Sequence, residues 1–203
     1  MGGGRRMTPE TLPDPILVAL DFASILDRLE APYLVGGSLA SSMHGEPRST
    51  LDVDFVVDLD VTKVESLVAE LQPAYYVDVD TAREAVRTTT SFNAIHLASA
   101  VKVDVFPAGT DAFNAERLEH RVRVQVGGEP SQWLFVDTAE HSILRKLEWY
   151  RRGGEQSERQ WRDVLSIWRV QGSRLDRSRM TLWAERLGVS DLLTRAEAEA
   201  QKL

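Results

Sequence analysis

Residues 33–59 read YLVGGSLASSMHGEPRSTLDVDFVVDL. A short apolar run ends in two glycines and a serine. A polar stretch with one arginine follows, and then Asp52 and Asp54 stand one residue apart among Leu51, Val53, Phe55, Val56 and Val57. Putting charge into an apolar strand is costly unless a partner neutralises it. The triplet Asp-Val-Asp also recurs at 78–80. The triplet alone therefore does not define a site, and the residues around each copy must separate them.

Period-2 alternation over 51–57 predicts a strand, with Asp52 and Asp54 on one face and Val53 and Phe55 on the other. Upstream, 33–35 reads as a short strand and 38–45 as a short helix ended by Gly45. Either Gly36–Gly37 or Gly37–Ser38 makes the tight turn between them. The surrounding pattern is of the same mixed kind. Helical spacing runs over 14–30, with Asp14 as a possible cap and Pro32 beyond its end, and again over 61–71, stopped by Pro73. A strand near 74–79, a short helix near 80–87, strands at 92–97 and 101–106, and a helix at 111–118 follow. Strands at 121–126 and 132–136 flank a hairpin signal, Gly127-Gly128-Glu129-Pro130. From Asp137 onward only helices are expected: 137–151, 156–170, 176–187 and 189–201. Gly153-Gly154, Gly172-Ser173 and Gly188 mark the breaks. The expected organisation is a leader at 1–13, an α/β core at 14–136 and a helical part at 137–203 packed on that core.

Two adjacent carboxylates on one strand face repel each other unless a cation sits between them. Hard oxygen donors suit magnesium, which completes its shell with water and phosphate oxygens. Gly36, Gly37 and Ser38 open a helix, where glycine permits close backbone approach and free N–H groups favour an anion. Arg48 precedes the carboxylate strand and is placed to grip a phosphate. Asp104 stands alone in the apolar strand 101–106 and can supply a third carboxylate, and Lys102 shares its face to touch phosphate or balance charge. In two-metal phosphoryl transfer such a third carboxylate activates the attacking hydroxyl.

Taken in order, the Gly-Gly-Ser turn, the Asp-Val-Asp strand and the later Lys102-Val-Asp104 strand resemble the nucleotidyltransferase superfamily of polymerase β type. Within it, the chain is most similar to the minimal or AbiEii-type nucleotidyltransferases, the toxins of type IV toxin-antitoxin systems. Tyr75-Tyr-Val-Asp-Val-Asp80, Ser91-Phe-Asn-Ala-Ile-His96 and Gln160-Trp-Arg-Asp163 share that flavour, and the likeness spans about residues 33–170. The resemblance implies an α+β fold: a mixed-sheet core flanked by helices, followed by an all-helical part. It implies transfer of a nucleoside monophosphate from a nucleoside triphosphate to an acceptor hydroxyl, with pyrophosphate leaving. Asp52, Asp54 and Asp104 would hold two Mg²⁺ ions, and Gly36, Gly37, Ser38, Arg48 and Lys102 would meet the nucleotide. Lys146 and Asp163 would line the nucleotide cleft or, alternatively, form an interhelical salt bridge. An antitoxin partner is implied by family alone. The acceptor could be RNA, protein or a small aminoglycoside-like molecule. A catalytically inactive nucleotide-binding module and a phosphohydrolase are the rival readings.

Bulk properties narrow the field. The chain has 203 residues, no cysteine and a net charge of -7. That excludes disulfides, thiolate metal sites and a cysteine nucleophile, and it fits a cytoplasmic protein. No apolar run reaches bilayer length, and no apolar stretch follows Arg5-Arg6 as in a secretory signal. Residues 140–180 hold ten Lys/Arg against six Asp/Glu, or +4, so the remainder carries -11. This asymmetry suits a carboxylate centre and an anion-binding wall, but equally a solvated, salt-bridged helix pair. Asp78-Val-Asp80 lacks a preceding glycine turn and reads as structural, with Asp80 capping a helix. His44 is near enough to the glycine turn to stack on a base. His96 reads as a packed histidine, and Trp149, Trp161, Trp168 and Trp183 read as core.

Overall fold

The computed structural model describes residues 14–127 and 132–202. The expected leader at 1–13 and the hairpin tip at 128–131 lie outside the described residues. The chain divides into two compact units. One comprises the residues up to Val35 together with Thr50–Val136, and the other comprises Gly36–Ser49 and Asp137–Leu203.

The first unit is built on a seven-stranded mixed sheet. Its strands are β1 (Tyr33–Val35), β2 (Asp52–Val57), β3 (Tyr75–Tyr76), β4 (Phe92–His96), β5 (Lys102–Pro107), β6 (Val122–Gln125) and β7 (Trp133–Val136). Their order across the sheet is β3-β4-β5-β2-β1-β7-β6. The pairs β2–β5 and β1–β7 are parallel and the others antiparallel. Helices α1 (Asp14–Arg28), α3 (Val64–Leu71), α4 (Val79–Thr88) and α5 (Ala112–Glu119) complete the unit.

The alternation in β2 and β5 gives the sheet two unlike faces. Val53, Phe55, Val57, Val103 and Val105 are wholly buried. Phe22 of α1 packs on Phe55 with ring centroids 4.9 Å apart and meets Tyr75 edge-on at 5.7 Å. On the opposite face Asp52, Asp54, Lys102 and Asp104 are only half-buried. That face closes further along, where Leu34, Val56, Ala108 and Leu118 form a small cluster with Phe106. The sheet is thus sealed on one side and partly open on the other, and the carboxylates stand in the open part.

The second unit contains α2 (Gly37–His44), α6 (Ala139–Arg152), α7 (Glu158–Gln171), α8 (Arg177–Leu187) and α9 (Ser190–Ala200). Thr138, Ser157 and Asp176 cap α6, α7 and α8 by accepting backbone N–H bonds three residues on. Gly153, Gly172 and Gly188 end the same three helices. Trp161, Trp168 and Trp183 are buried as expected, whereas Trp149 is 46 % exposed and lies under the Arg152 guanidinium.

Most elements fall within a residue or two of the sequence reading. Three differ. The helix expected over 61–71 begins with a 3₁₀ turn, Val61–Lys63, because Asp60 accepts the Thr62 N–H and tightens the entry. The strand expected near 74–79 shrinks to Tyr75–Tyr76. Asp78 then turns the chain by accepting the Thr81 N–H, so the cap of α4 is Asp78 and not Asp80. Asp80 lies inside the first turn and pairs with Arg83 at 2.5 Å.

Candidate active site

In the first unit the parallel pairing of β2 and β5 sets Asp52 opposite Lys102 and Asp54 opposite Asp104. Register partners on neighbouring strands show their side chains to the same face. Asp52, Asp54, Lys102 and Asp104 therefore share one patch, all half-buried. Lys102 Nζ lies 2.7 Å from Asp104 Oδ2. Its hydrogen bond to Asp104 holds the ammonium above the ordinary lysine range against the opposing effect of burial, and the charges of Asp104, Asp52 and Asp54 add to it. Lys102 thus balances charge. β4 adds Asn93, the register partner of Asp104 on its other side. Sequence reading passed over Asn93 because an exposed polar residue in an alternating strand carries no signal until its neighbour is known.

Three carboxylates on one half-open face present the hard oxygen donors that a divalent cation takes. The field that sustains the Lys102 charge is the field such an ion would meet, so the residues fit the group. Among the described residues, the one set of three candidate ligands with atoms within 4.8 Å of one another is Glu116, Glu119 and His120, around the C-terminal end of α5. The aspartate trio is more open than that. In the α5 set, His120 Nδ1 is already engaged with the Glu116 carbonyl at 3.1 Å.

In the second unit, Gly37 takes φ +57°, a conformation that disfavours any residue with a Cβ, so Gly37 makes the tight turn. Gly36 is the N-cap of α2, and no side chain caps its N–H groups. Ser38 is buried on the first turn, and its hydroxyl accepts from Arg48 Nη2 at 2.6 Å and from Arg159 Nη2 at 3.3 Å. Arg48 also grips Asp163, with Nε to Oδ1 at 2.9 Å and Nη2 to Oδ2 at 2.8 Å. Lys146 Nζ meets Asp163 Oδ2 at 2.7 Å and Gln160 Oε1 at 3.1 Å. The Lys146 and Asp163 side chains are 7 % and 8 % exposed. Burial works to raise the Asp163 pKa, but the Arg48 hydrogen bonds and the Lys146 charge outweigh it and hold the carboxyl below its ordinary value.

Three cations, Arg48, Lys146 and Arg159, thus gather around one carboxylate and one hydroxyl at the start of α2. Arg159 stands one turn before Asp163 on α7, and its contact to Ser38 depends on packing that sequence spacing does not show. His44 Nε2 is hydrogen-bonded to the Asp137 carbonyl, which fixes the ring in its plane. His96 is a packed histidine, hydrogen-bonded to Ser99 at 2.8 Å, with its ring centroid 5.1 Å from that of Tyr75 and the two planes tilted by 58°.

No protein-family model matches the chain, and no curated protein does. Solved structures do. An antigenic nucleotidyltransferase-like protein from Paracoccidioides brasiliensis superposes with a TM-score of 0.55 at 17 % identity, over 95 % of this chain and 94 % of that one. The chain carries a nucleotidyltransferase-like fold. Two further structures overlap more loosely. The antibiotic-resistance factor ANT(2'')-Ia gives a TM-score of 0.48 at 13 % identity, over 94 % of this chain and 97 % of its own. The lincosamide antibiotic adenylyltransferase LnuA gives 0.47 at 11 % identity, over 77 % of this chain and 96 % of its own. Among the described residues, no helix is long and apolar enough to cross a membrane.

Proposed function

We propose that the chain is a divalent-cation-dependent nucleotidyltransferase that moves a nucleoside monophosphate from a nucleoside triphosphate to an acceptor hydroxyl. The observation that carries this reading is the register of β2 and β5, which aligns Asp54 with Asp104 and Asp52 with Lys102 on the open face of the sheet. A sheet needs no such cluster of carboxylates for stability. Like charges side by side are unfavourable unless a cation is expected.

Asp52, Asp54 and Asp104 would hold magnesium, which when bound polarises phosphate oxygens and neutralises charge on the leaving group. Asp104 would take the proton of the acceptor hydroxyl. That oxygen attacks the α-phosphorus as the bond from phosphorus to the bridging oxygen breaks, and pyrophosphate departs with the electron pair. Within the second unit, the N–H groups behind Gly36 and Gly37, the Ser38 hydroxyl and the Arg48, Lys146 and Arg159 cations supply what a polyphosphate needs. Asp163 serves there by orienting Arg48 and Lys146. The toxin-type reading adds an RNA or protein acceptor and a cognate antitoxin, and it rests on the sequence resemblance.

The test is nucleotide binding by calorimetry with Mg²⁺, together with pyrophosphate release in the presence of a cell extract. The wild type should bind a nucleoside triphosphate only with the metal present, and Asp52→Asn/Asp54→Asn should not. Equal binding by both proteins would falsify the reading.

A further inference from the structure

The sheet face that carries the carboxylates continues past them. Ile95 is the register partner of Lys102, and Tyr76 is the register partner of Ile95. One row therefore runs Asp52, Lys102, Ile95, Tyr76 from β2 to the edge strand β3. The row beside it runs Asp54, Asp104, Asn93. Tyr76 is 67 % exposed and Ile95 38 %. Leu97, two residues beyond Ile95, is 63 % exposed. Their alternate neighbours Tyr75, Phe92 and Ala94 are buried in the covered face, so the strip is not overflow from the core. Single exposed apolar residues need no explanation, but adjacent ones on an otherwise polar face do.

We propose that Tyr76 and Ile95, with Leu97 at the strip's end, form the acceptor platform of the transferase. The acceptor is a small, neutral or cationic molecule that carries its hydroxyl on a ring or other apolar body. This rests on the transferase reading above. Position is the first argument. Ile95 is the direct cross-strand neighbour of Lys102 and lies diagonally from Asp104, about 7–8 Å away on the same face, and Tyr76 is one strand further, on the side away from β2. A molecule lying on the Tyr76 ring and Ile95 brings a hydroxyl to Asp104, the residue that must take its proton.

Charge is the second argument. The two rows hold three carboxylates and one ammonium, and that ammonium is already bonded to Asp104. Past the carboxylates that would hold metal, Asn93, Ile95, Tyr76 and Leu97 offer no positive charge to a phosphate backbone, which a neutral or cationic body does not need. Size is the third. Three side chains offer far less than the roughly 800 Å² per partner that a specific protein interface buries, but enough to seat one or two rings by stacking and apolar contact.

The experiment uses the full chain with each α-labelled nucleoside triphosphate and Mg²⁺, offered in turn the low-mass fraction of a cell extract, total RNA and total protein. Label should appear in the low-mass fraction. In Tyr76→Ser/Ile95→Ser that transfer should fall about tenfold, the loss of one ring and one aliphatic contact, while nucleotide affinity by calorimetry stays unchanged. Label in RNA or protein, transfer to no pool by a protein that binds nucleotide, or transfer indifferent to the variant overturns the platform. Failure of the wild type to bind nucleotide instead sinks the transferase reading. The platform is then judged by amide shifts on titration with tyramine and with hexa-adenylate. Shifts at 75–77 and 93–97 with tyramine alone support it, and their absence, or shifts with hexa-adenylate, overturns it.

Discussion

Asp54 and Asp104, fifty residues apart in the chain, are register partners on neighbouring parallel strands and face the same open side of the sheet. If their role is to hold metal and take a proton, Asp54→Asn and Asp104→Asn should each lower pyrophosphate release by about 10²–10⁴-fold. In Asp54→Asn the melting temperature without metal should rise or stay level, because a like-charge pair is relieved, whereas Asp104→Asn also loses the Lys102 ion pair. A fall in melting temperature without a loss of turnover would assign the pair to structure instead.

Lys102 supplies the counter-charge in this patch, bonded to Asp104 at 2.7 Å. Lys102→Met should leave the three carboxylates more dependent on a divalent ion. Thermal unfolding with and without Mg²⁺ reads this out: the variant should be less stable without metal and gain more from it than the wild type. An equal gain in both proteins would show that the lysine does not compete for the site.

Asp163 holds two buried-side cations with one carboxylate. Asp163→Ala leaves both uncompensated and should cost about 3–5 kcal/mol in denaturant unfolding. The pH dependence follows from the direction of its shift. Its folded pKa lies below the ordinary 3.8, so the stabilisation is fully present above that ordinary value and is lost as pH falls through the folded one. Asp163→Asn should flatten this acid limb.

The two Asp-Val-Asp triplets can be compared directly. Asp78→Ala removes the N-cap of α4 and should lower the melting temperature without touching turnover, while Asp80→Ala should do less because its partner Arg83 also reaches Glu65. Both should retain nucleotide binding. Loss of binding on either change would mean that the second triplet also belongs to the site.

Gly37→Ala forces a Cβ into φ +57° and should cost about 1–2 kcal/mol. If the turn also presents N–H groups to phosphate, nucleotide affinity should drop with it, whereas Gly153→Ala, at a negative φ, should leave affinity alone.

Much of this was legible in the chain itself. Period-2 alternation put Asp52 and Asp54 on one face and Val53 and Phe55 in the core, because side chains alternate along any strand whatever it pairs with. Helices α6 to α9 were marked by their apolar spacing and by Gly153, Gly172 and Gly188. These are local properties, written within one element's length. Pairing is not local. That β5 lies beside β2 in parallel, with Asp104 beside Asp54 and Asn93 beside Asp104, was decided by the sheet order. That Asp163 binds Arg48, 115 residues away, was decided by the packing of α2 with α6 and α7. The same packing placed Gly36–Ser49 with the helical unit although the sequence sets it inside the strand-rich part. Local periodicity determines which face a residue joins; only the contacts between distant elements decide what it meets there.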